Sequence, residues 1–173
     1  LKNKIIVITG ACGLLGKQHS EVIAAFGGIP IILDINKNEV HHFTKYLNKK
    51  YSINTSGYCL DITKEGDVKI NSNIILSKYG KIDGLINNAA NNPRIEDKDD
   101  IAFSRLENFT FENWNNDLSV GLTGAFLCSK YYGKQISLNK NGGSIINISS
   151  DLGIISPDQR LYKIKDVSEE KQP

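Results

Sequence analysis

Three glycines at three-residue spacing, Gly10, Gly13 and Gly16, occupy the run Thr9-Gly10-Ala11-Cys12-Gly13-Leu14-Leu15-Gly16, where an apolar stretch gives way to a helical pattern. Glycines at such a junction let the backbone turn tightly and approach a pyrophosphate, which the unpaired N–H groups and positive dipole end of the helix then stabilise. Gly16 allows the helix to pack closely on the strand. The spacing G-x-x-G-x-x-G differs from G-x-G-x-x-G, and an ordinary strand-to-helix turn also accepts it. Asp34, which ends the next apolar run, adds the second half of the chemistry. A carboxylate there accepts hydrogen bonds from the two hydroxyls of an adenosine ribose. A 2′-phosphate would meet a like charge, so the expected cofactor is NAD(H) rather than NADP(H). Lys17 either attracts such a phosphate or is a solvated residue of the first helical turn. Asp61, ending a third run, either receives the adenine amino group or is a turn aspartate.

These residues need a scaffold that brings strand ends together. Ile5-Ile6-Val7-Ile8 reads as a buried strand, followed by a helix from Leu14 to about Phe26 that Gly27-Gly28 stops. Ile31-Ile32-Leu33 reads as a second buried strand, and Asn36 to about Lys50 as a polar helix. Tyr58 to Asp61 closes a weaker third strand; Thr63 is the expected cap of a helix running to about Tyr79, before Gly80. Leu85-Ile86-Asn87 gives a fourth strand, Thr110 caps a long helix to about Leu138, and Ser144 to Ile148 gives a fifth strand. Strands alternating with helices imply right-handed crossovers and an α/β fold with a doubly wound parallel sheet. The acidic residues of the irregular segment Asn91 to Asn108 read as a solvated loop.

Composition narrows the alternatives. The 173 residues suit one domain, and 21 basic against 19 acidic residues leave a formal charge of +2 with no one-signed stripe. Nucleic acid and membrane surfaces are therefore not expected partners. No apolar run approaches the roughly 20 residues that span a bilayer. Cys12, Cys59 and Cys128 lack metal or disulfide spacing, so no metal is expected and a reducing cytoplasm is the expected compartment. His41-His42 read as surface residues of the polar helix. Cys12 is either a thiol acidified by the helix dipole or a small loop residue.

With Asn87-Asn88-Ala89-Ala90 after strand four and Ile146-Asn147-Ile148-Ser149-Ser150 at strand five, the whole chain resembles the short-chain dehydrogenases/reductases. Within that family, S-V-G-L-T-G-A-F-L-C-S-K and S-S-D-L-G-I-I-S-P-D-Q-R-L-Y resemble the branch of bacterial flagellin-modification oxidoreductases. The resemblance implies a Rossmann fold and a single NAD-binding domain over residues 1–173. It implies cofactor contacts from Gly10, Gly13, Leu14, Leu15, Gly16, Asp34, Asp61, Ile62, Asn88 and Ala89, with Ile148 under the nicotinamide. Asn87 would mainly hold neighbouring strands together. Ser150 would be catalytic, bonding the substrate oxygen as charge develops there. The activity implied is an NAD-dependent interconversion of a secondary alcohol and a ketone, on a sugar or sugar-phosphate precursor of surface glycan or flagellin modification. The long helix, with Phe126, Tyr131 and Tyr132, would pair across a homodimer or tetramer.

Three departures qualify that expectation. The glycine spacing resembles the family's extended branch, which keeps a nucleotide-sugar epimerase or dehydratase as an alternative. Gly121 stands where the family carries a helix asparagine; glycine preserves a local helix irregularity but supplies no side chain to the family's water-mediated proton relay. No Tyr-x-x-x-Lys follows Ser150, because Asp166 holds the fourth position after Tyr162. The expectation is that Tyr162 lies in an inserted loop and that the Tyr and Lys lie beyond Pro173, with the C-terminal helix and last strands. Strand five would then expose an apolar edge. A catalytically silent dinucleotide-binding protein is the remaining alternative. Arg94 is read as a phosphate contact or a solvated arginine.

Overall fold

Branched apolar residues fill positions 5 to 8, which suits a strand buried on both faces. In the computed structural model, which describes residues 1–91, 106–155 and 158, that strand, β1 (Ile5–Thr9), is the middle of a five-stranded sheet. Its order is β3-β2-β1-β4-β5, and every pairing is parallel. The other strands are β2 (Ile29–Asp34), β3 (Gly57–Cys59), β4 (Gly84–Asn87) and β5 (Ser144–Asn147). The helices are α1 (Leu14–Ala25), α2 (Lys37–Tyr51), α3 (Glu65–Tyr79), α4 (Phe111–Leu118) and α5 (Ala125–Ser137). Two compact units divide the chain: Leu1–Ala90 with Ser119–Ile148, and Asn91–Leu118 with Ser149–Pro173.

The first unit holds the sheet, and strand alternation divides its core into two layers. Ile8, Ile32 and Ile86 pack with Ile23 and Ala24 of α1 and Val40, Phe43 and Leu47 of α2. Ile5, Val7, Ile31, Leu33 and Leu85 pack instead with Val68 and Ile75 of α3 and Cys128, Tyr132 and Ile136 of α5. The chain therefore winds outward from β1 in both directions. The connections that leave β1 and β4 turn to opposite faces of the sheet, the topological switch point at which open α/β sheets bind ligands. Among the described residues β5 is an outer strand, with Ile145 and Ile146 half-exposed.

Several elements differ from the sequence reading. The helix expected from Thr110 to Leu138 is α4, a π-helical stretch from Ser119 to Gly124, and α5. Gly121 lies inside the π stretch, in open space where a side-chain carbon would meet nothing within 4 Å. Thr110 does cap α4, its Oγ1 accepting the Asn113 N–H at 3.1 Å. Thr63 does not cap α3: the N-cap is Lys64, without a side-chain bond, because the Thr63 hydroxyl is held by Asp61 at 2.7 Å. Tyr132 is fully buried and donates to Asn71 Oδ1 at 2.9 Å, so it belongs to the core rather than to an outer aromatic face. No helix among the described residues is long and apolar enough to cross a membrane.

At the amino ends of β1 and β4 one carboxylate ties the sheet. Asp83 accepts the Ile5 N–H and the ammonium groups of Lys4 and Lys81, each at 2.9 Å. Burial opposes its ionisation, but these donors outweigh burial and hold its pKa below the ordinary 3.8. A depressed native pKa means the stabilisation is full above the unfolded value and is lost as pH falls through the native one. Asp83→Asn should cost about 2–4 kcal/mol by the usual cost of breaking such a cluster. Urea melts from pH 7 to 3 should show the variant losing less stability on acidification than the wild type.

Candidate functional site

The turn after β1 is built by close backbone contact. Gly10 has a φ of +59°, and a side-chain carbon on it would fall 2.8 Å from the Ala89 Cα. At Gly16 the same atom would fall 2.7 Å from the Ala11 Cα, so α1 can begin directly against the turn only with glycine there. The Gly13 N–H donates to the Gly10 carbonyl at 3.1 Å, and Gly13 is the N-cap of α1. No side chain caps this helix and its first turn carries no acid. The first-turn N–H groups therefore lack both an intrahelical partner and a repelling charge, the conditions under which a helix end accepts an anion. Leu14 and Leu15 open that turn and are 83% and 52% exposed.

Beside it, the end of β4 clamps the turn. Thr9 Oγ1 accepts the N–H groups of both Asn88 and Ala89 at 3.0 Å. In return the Asn88 Nδ2 donates to the carbonyls of Thr9 and Gly10 at 3.1 Å. Asn87 points toward the other neighbours: its Nδ2 reaches Asn147 Oδ1 of β5 at 2.7 Å and Ser129 Oγ of α5 at 3.1 Å. The Ile148 N–H continues that pairing by donating to the Asn87 carbonyl at 2.9 Å, and its side chain is 40% exposed. The hydroxyl of Thr9 was not singled out from the sequence. A threonine directly before the first glycine was the available signal.

Asp34 is held rigidly by neutral donors. Its Oδ2 accepts the Cys12 N–H at 2.9 Å and its Oδ1 the Asn36 N–H at 3.1 Å. Asp61 forms a tight turn, with Oδ1 accepting both the N–H and the hydroxyl of Thr63, and these bonds hold its pKa low. Ile62 is buried, and a side-chain carbon on Gly124 would fall 2.5 Å from its Cδ1, so any ligand contact from Ile62 must come through its backbone. Lys17 bonds Glu39 at 3.0 Å. Burial, followed by the charge of Asp34, pushes the Cys12 thiol up to about 12. That direction opposes acidification of the thiol and favours the reading of a small loop residue.

Ser150 lies in the second unit, at the start of a 3₁₀ turn (Asp151–Gly153). Its hydroxyl accepts the Leu152 N–H at 3.2 Å and donates to Asp151 Oδ1 at 3.3 Å. In the same unit Asn91 Nδ2 donates to Asp117 Oδ1 at 2.8 Å. Arg94, the acidic run from Glu96 to Asp100, Tyr162 and Asp166 lie outside the described residues. Among the described residues no cluster of His, Cys, Asp or Glu is arranged to hold a metal.

A crevice at the strand reversal, a glycine turn opening a helix and an acid ending β2 define a class of protein. The profile of the short chain dehydrogenases matches residues 4–162, and the chain belongs to that family. It is 31% identical over 163 residues to the post-translational flagellin modification protein A of Campylobacter coli, covering 94% of this chain and 61% of that protein. It is 36% identical over 154 residues to an uncharacterized oxidoreductase of Bacillus subtilis, covering 88% of this chain and 52% of that protein. Among solved structures, NAD+-bound xylitol dehydrogenase superposes with a TM-score of 0.80 at 26% identity, over 90% of this chain and 56% of that one. The chain thus spans only 52% to 61% of the length of these curated relatives.

Thiol accessibility tests the geometry of the turn. Cys59 is exposed, Cys12 partly covered and Cys128 buried, and burial pushes the Cys128 thiol up as well. Under native conditions at pH 7.5, iodoacetamide should modify Cys59 more than about tenfold faster than Cys12 or Cys128, as the low thiolate fraction of the latter two requires. Peptide mass spectrometry over a time course checks the order.

Proposed function

We propose that this chain forms an NAD-binding domain of an oxidoreductase that interconverts a secondary alcohol and a ketone. The observation that carries this reading is the pairing of an uncapped helix start at Gly13 with a carboxylate, Asp34, held by two backbone N–H groups. The first receives a pyrophosphate and the second a ribose diol. Gly10, Gly13, Leu14, Leu15 and Gly16 would line the phosphates. Asp34 would take the ribose hydroxyls, Asp61 and Ile62 would border the adenine, Asn88 and Ala89 the adenine-ribose side, and Ile148 the nicotinamide. The NAD-bound state of the xylitol dehydrogenase to which the chain is similar supports this reading. Nicotinamide supplies the hydride chemistry when bound.

Ser150 would bond the substrate oxygen. A serine hydroxyl has one proton to donate, so Asp151 competes with substrate for it. Substrate binding must therefore redirect that proton from Asp151 Oδ1 to the reacting oxygen. Similarity to the Campylobacter flagellin modification protein supports a sugar or sugar-phosphate precursor as substrate. The half-exposed Phe126 of α5 supports assembly into a homodimer or tetramer, and the free cysteines support a cytoplasmic setting. The G-x-x-G-x-x-G spacing favours a nucleotide-sugar epimerase or dehydratase as the second reading.

Two measurements test the proposal with the full-length protein. Titration should give NADH an affinity about tenfold or more above NADPH, from the like-charge penalty at Asp34, and Asp34→Ala should narrow the ratio. Equal affinities in the wild type would contradict the assignment. Ser150→Ala should lower kcat by about 10²–10³, as removal of one oxyanion donor does, with the NADH dissociation constant unchanged.

A further inference from the structure

The corner between α1 and α2 contains a diverted hydrogen bond. The Asn36 side chain caps α2 by accepting the Glu39 N–H at 3.1 Å. In a complete capping box the Glu39 carboxylate would return to the Asn36 N–H. That N–H is already given to Asp34 Oδ1, at 3.1 Å. Glu39 instead takes the ammonium of Lys17, with Nζ to Oε2 at 3.0 Å. Lys17 also lies over the Phe43 ring, 5.9 Å from its centroid, so it is attached to α2 at two points. The Lys17 bond also holds the Glu39 carboxyl low, keeping it ionised at neutral pH.

Resting on the dinucleotide reading above, we propose that Glu39 is a second determinant of cofactor choice. It withholds Lys17 from an adenosine 2′-phosphate and adds its own negative charge to that of Asp34. Asp34 alone would repel the extra phosphate, but a free Lys17 in the first turn of α1 would offset part of that repulsion. With Lys17 paired, the corner presents two carboxylates against one engaged ammonium. Asp34 holds the Asn36 N–H, Asn36 caps the helix turn that carries Glu39, and Glu39 bonds Lys17, which ties the three charges to one corner. The pair is half-exposed on both sides, 41% and 46%, so its effect must be modest and sensitive to salt.

The test uses the full-length protein, with NADH and NADPH dissociation constants measured by calorimetry for wild type, Glu39→Gln and Glu39→Gln/Lys17→Met. Glutamine preserves the capping-box residue type, so helix α2 should remain intact, which circular dichroism verifies. Glu39→Gln should leave NADH affinity within about twofold and tighten NADPH about five- to tenfold, the scale of freeing one exposed charge. The gain should vanish in the double variant and shrink in ~0.5 M salt. An unchanged NADPH to NADH ratio in Glu39→Gln overturns the inference while leaving the dinucleotide reading intact. So does a gain that survives Lys17→Met, which would assign the effect to another cation such as Lys37. Failure of the wild type to bind NADH overturns the dinucleotide reading itself.

Discussion

The hydroxyl of Thr9 holds together the two strand ends on which the crevice depends. It accepts two backbone N–H groups from the segment after β4, and the Asn88 amide answers with two bonds to the turn after β1. Because β1 and β4 diverge in their connections at this point, nothing in the sheet ladder itself fixes the spacing of the loops beyond them. The clamp does so with neutral hydrogen bonds in a part-buried setting, where each unmade bond would leave a costly unsatisfied group. Gly10 can then adopt its positive φ against Ala89 without a side chain in the way.

Two carboxylates at opposite ends of the sheet differ in the chemistry of their partners. Asp83, at the amino ends, receives two ammonium groups and a backbone N–H. Its charge is locally compensated and serves cohesion. Asp34, at the carboxyl ends, is held by backbone N–H groups and forms no ion pair among the described residues. It is fixed in place by neutral donors, which leave its charge available to the ribose contact proposed above. Lys17, in the first turn of α1, is engaged by Glu39.

Much of this was legible in order of residues. Runs of Ile, Val and Leu located β1, β2 and β4, because strands buried on both faces need no alternation. Gly10, Gly13, Gly16 and Asp34 could be read at their strand ends because turn chemistry is local. The failures share a cause. Thr63 looked like a cap, but the cap competes with Asp61 two residues earlier, and only geometry decides which bond forms. The resemblance groups Tyr132 with Phe126 and Tyr131 on a helix expected to pair between subunits, yet Asn71 of α3 satisfies its hydroxyl inside the core.

Sequence by itself determined the alternation of strands and helices, the parallel sheet and the glycine turn, since each rests on periodicity or on neighbours a few residues apart. The family was legible as a resemblance carried by the order of motifs along the chain. The same resemblance made Gly121 compatible with a local helix irregularity, though it did not give its form. Tertiary structure alone decided that the irregularity is a π-helical stretch, that Thr9 and Asn88 clamp one another, and that Glu39 captures Lys17. Those outcomes depend on which donor meets which acceptor across segments tens of residues apart. A one-dimensional pattern carries the supply of such groups, and only packing settles their pairing.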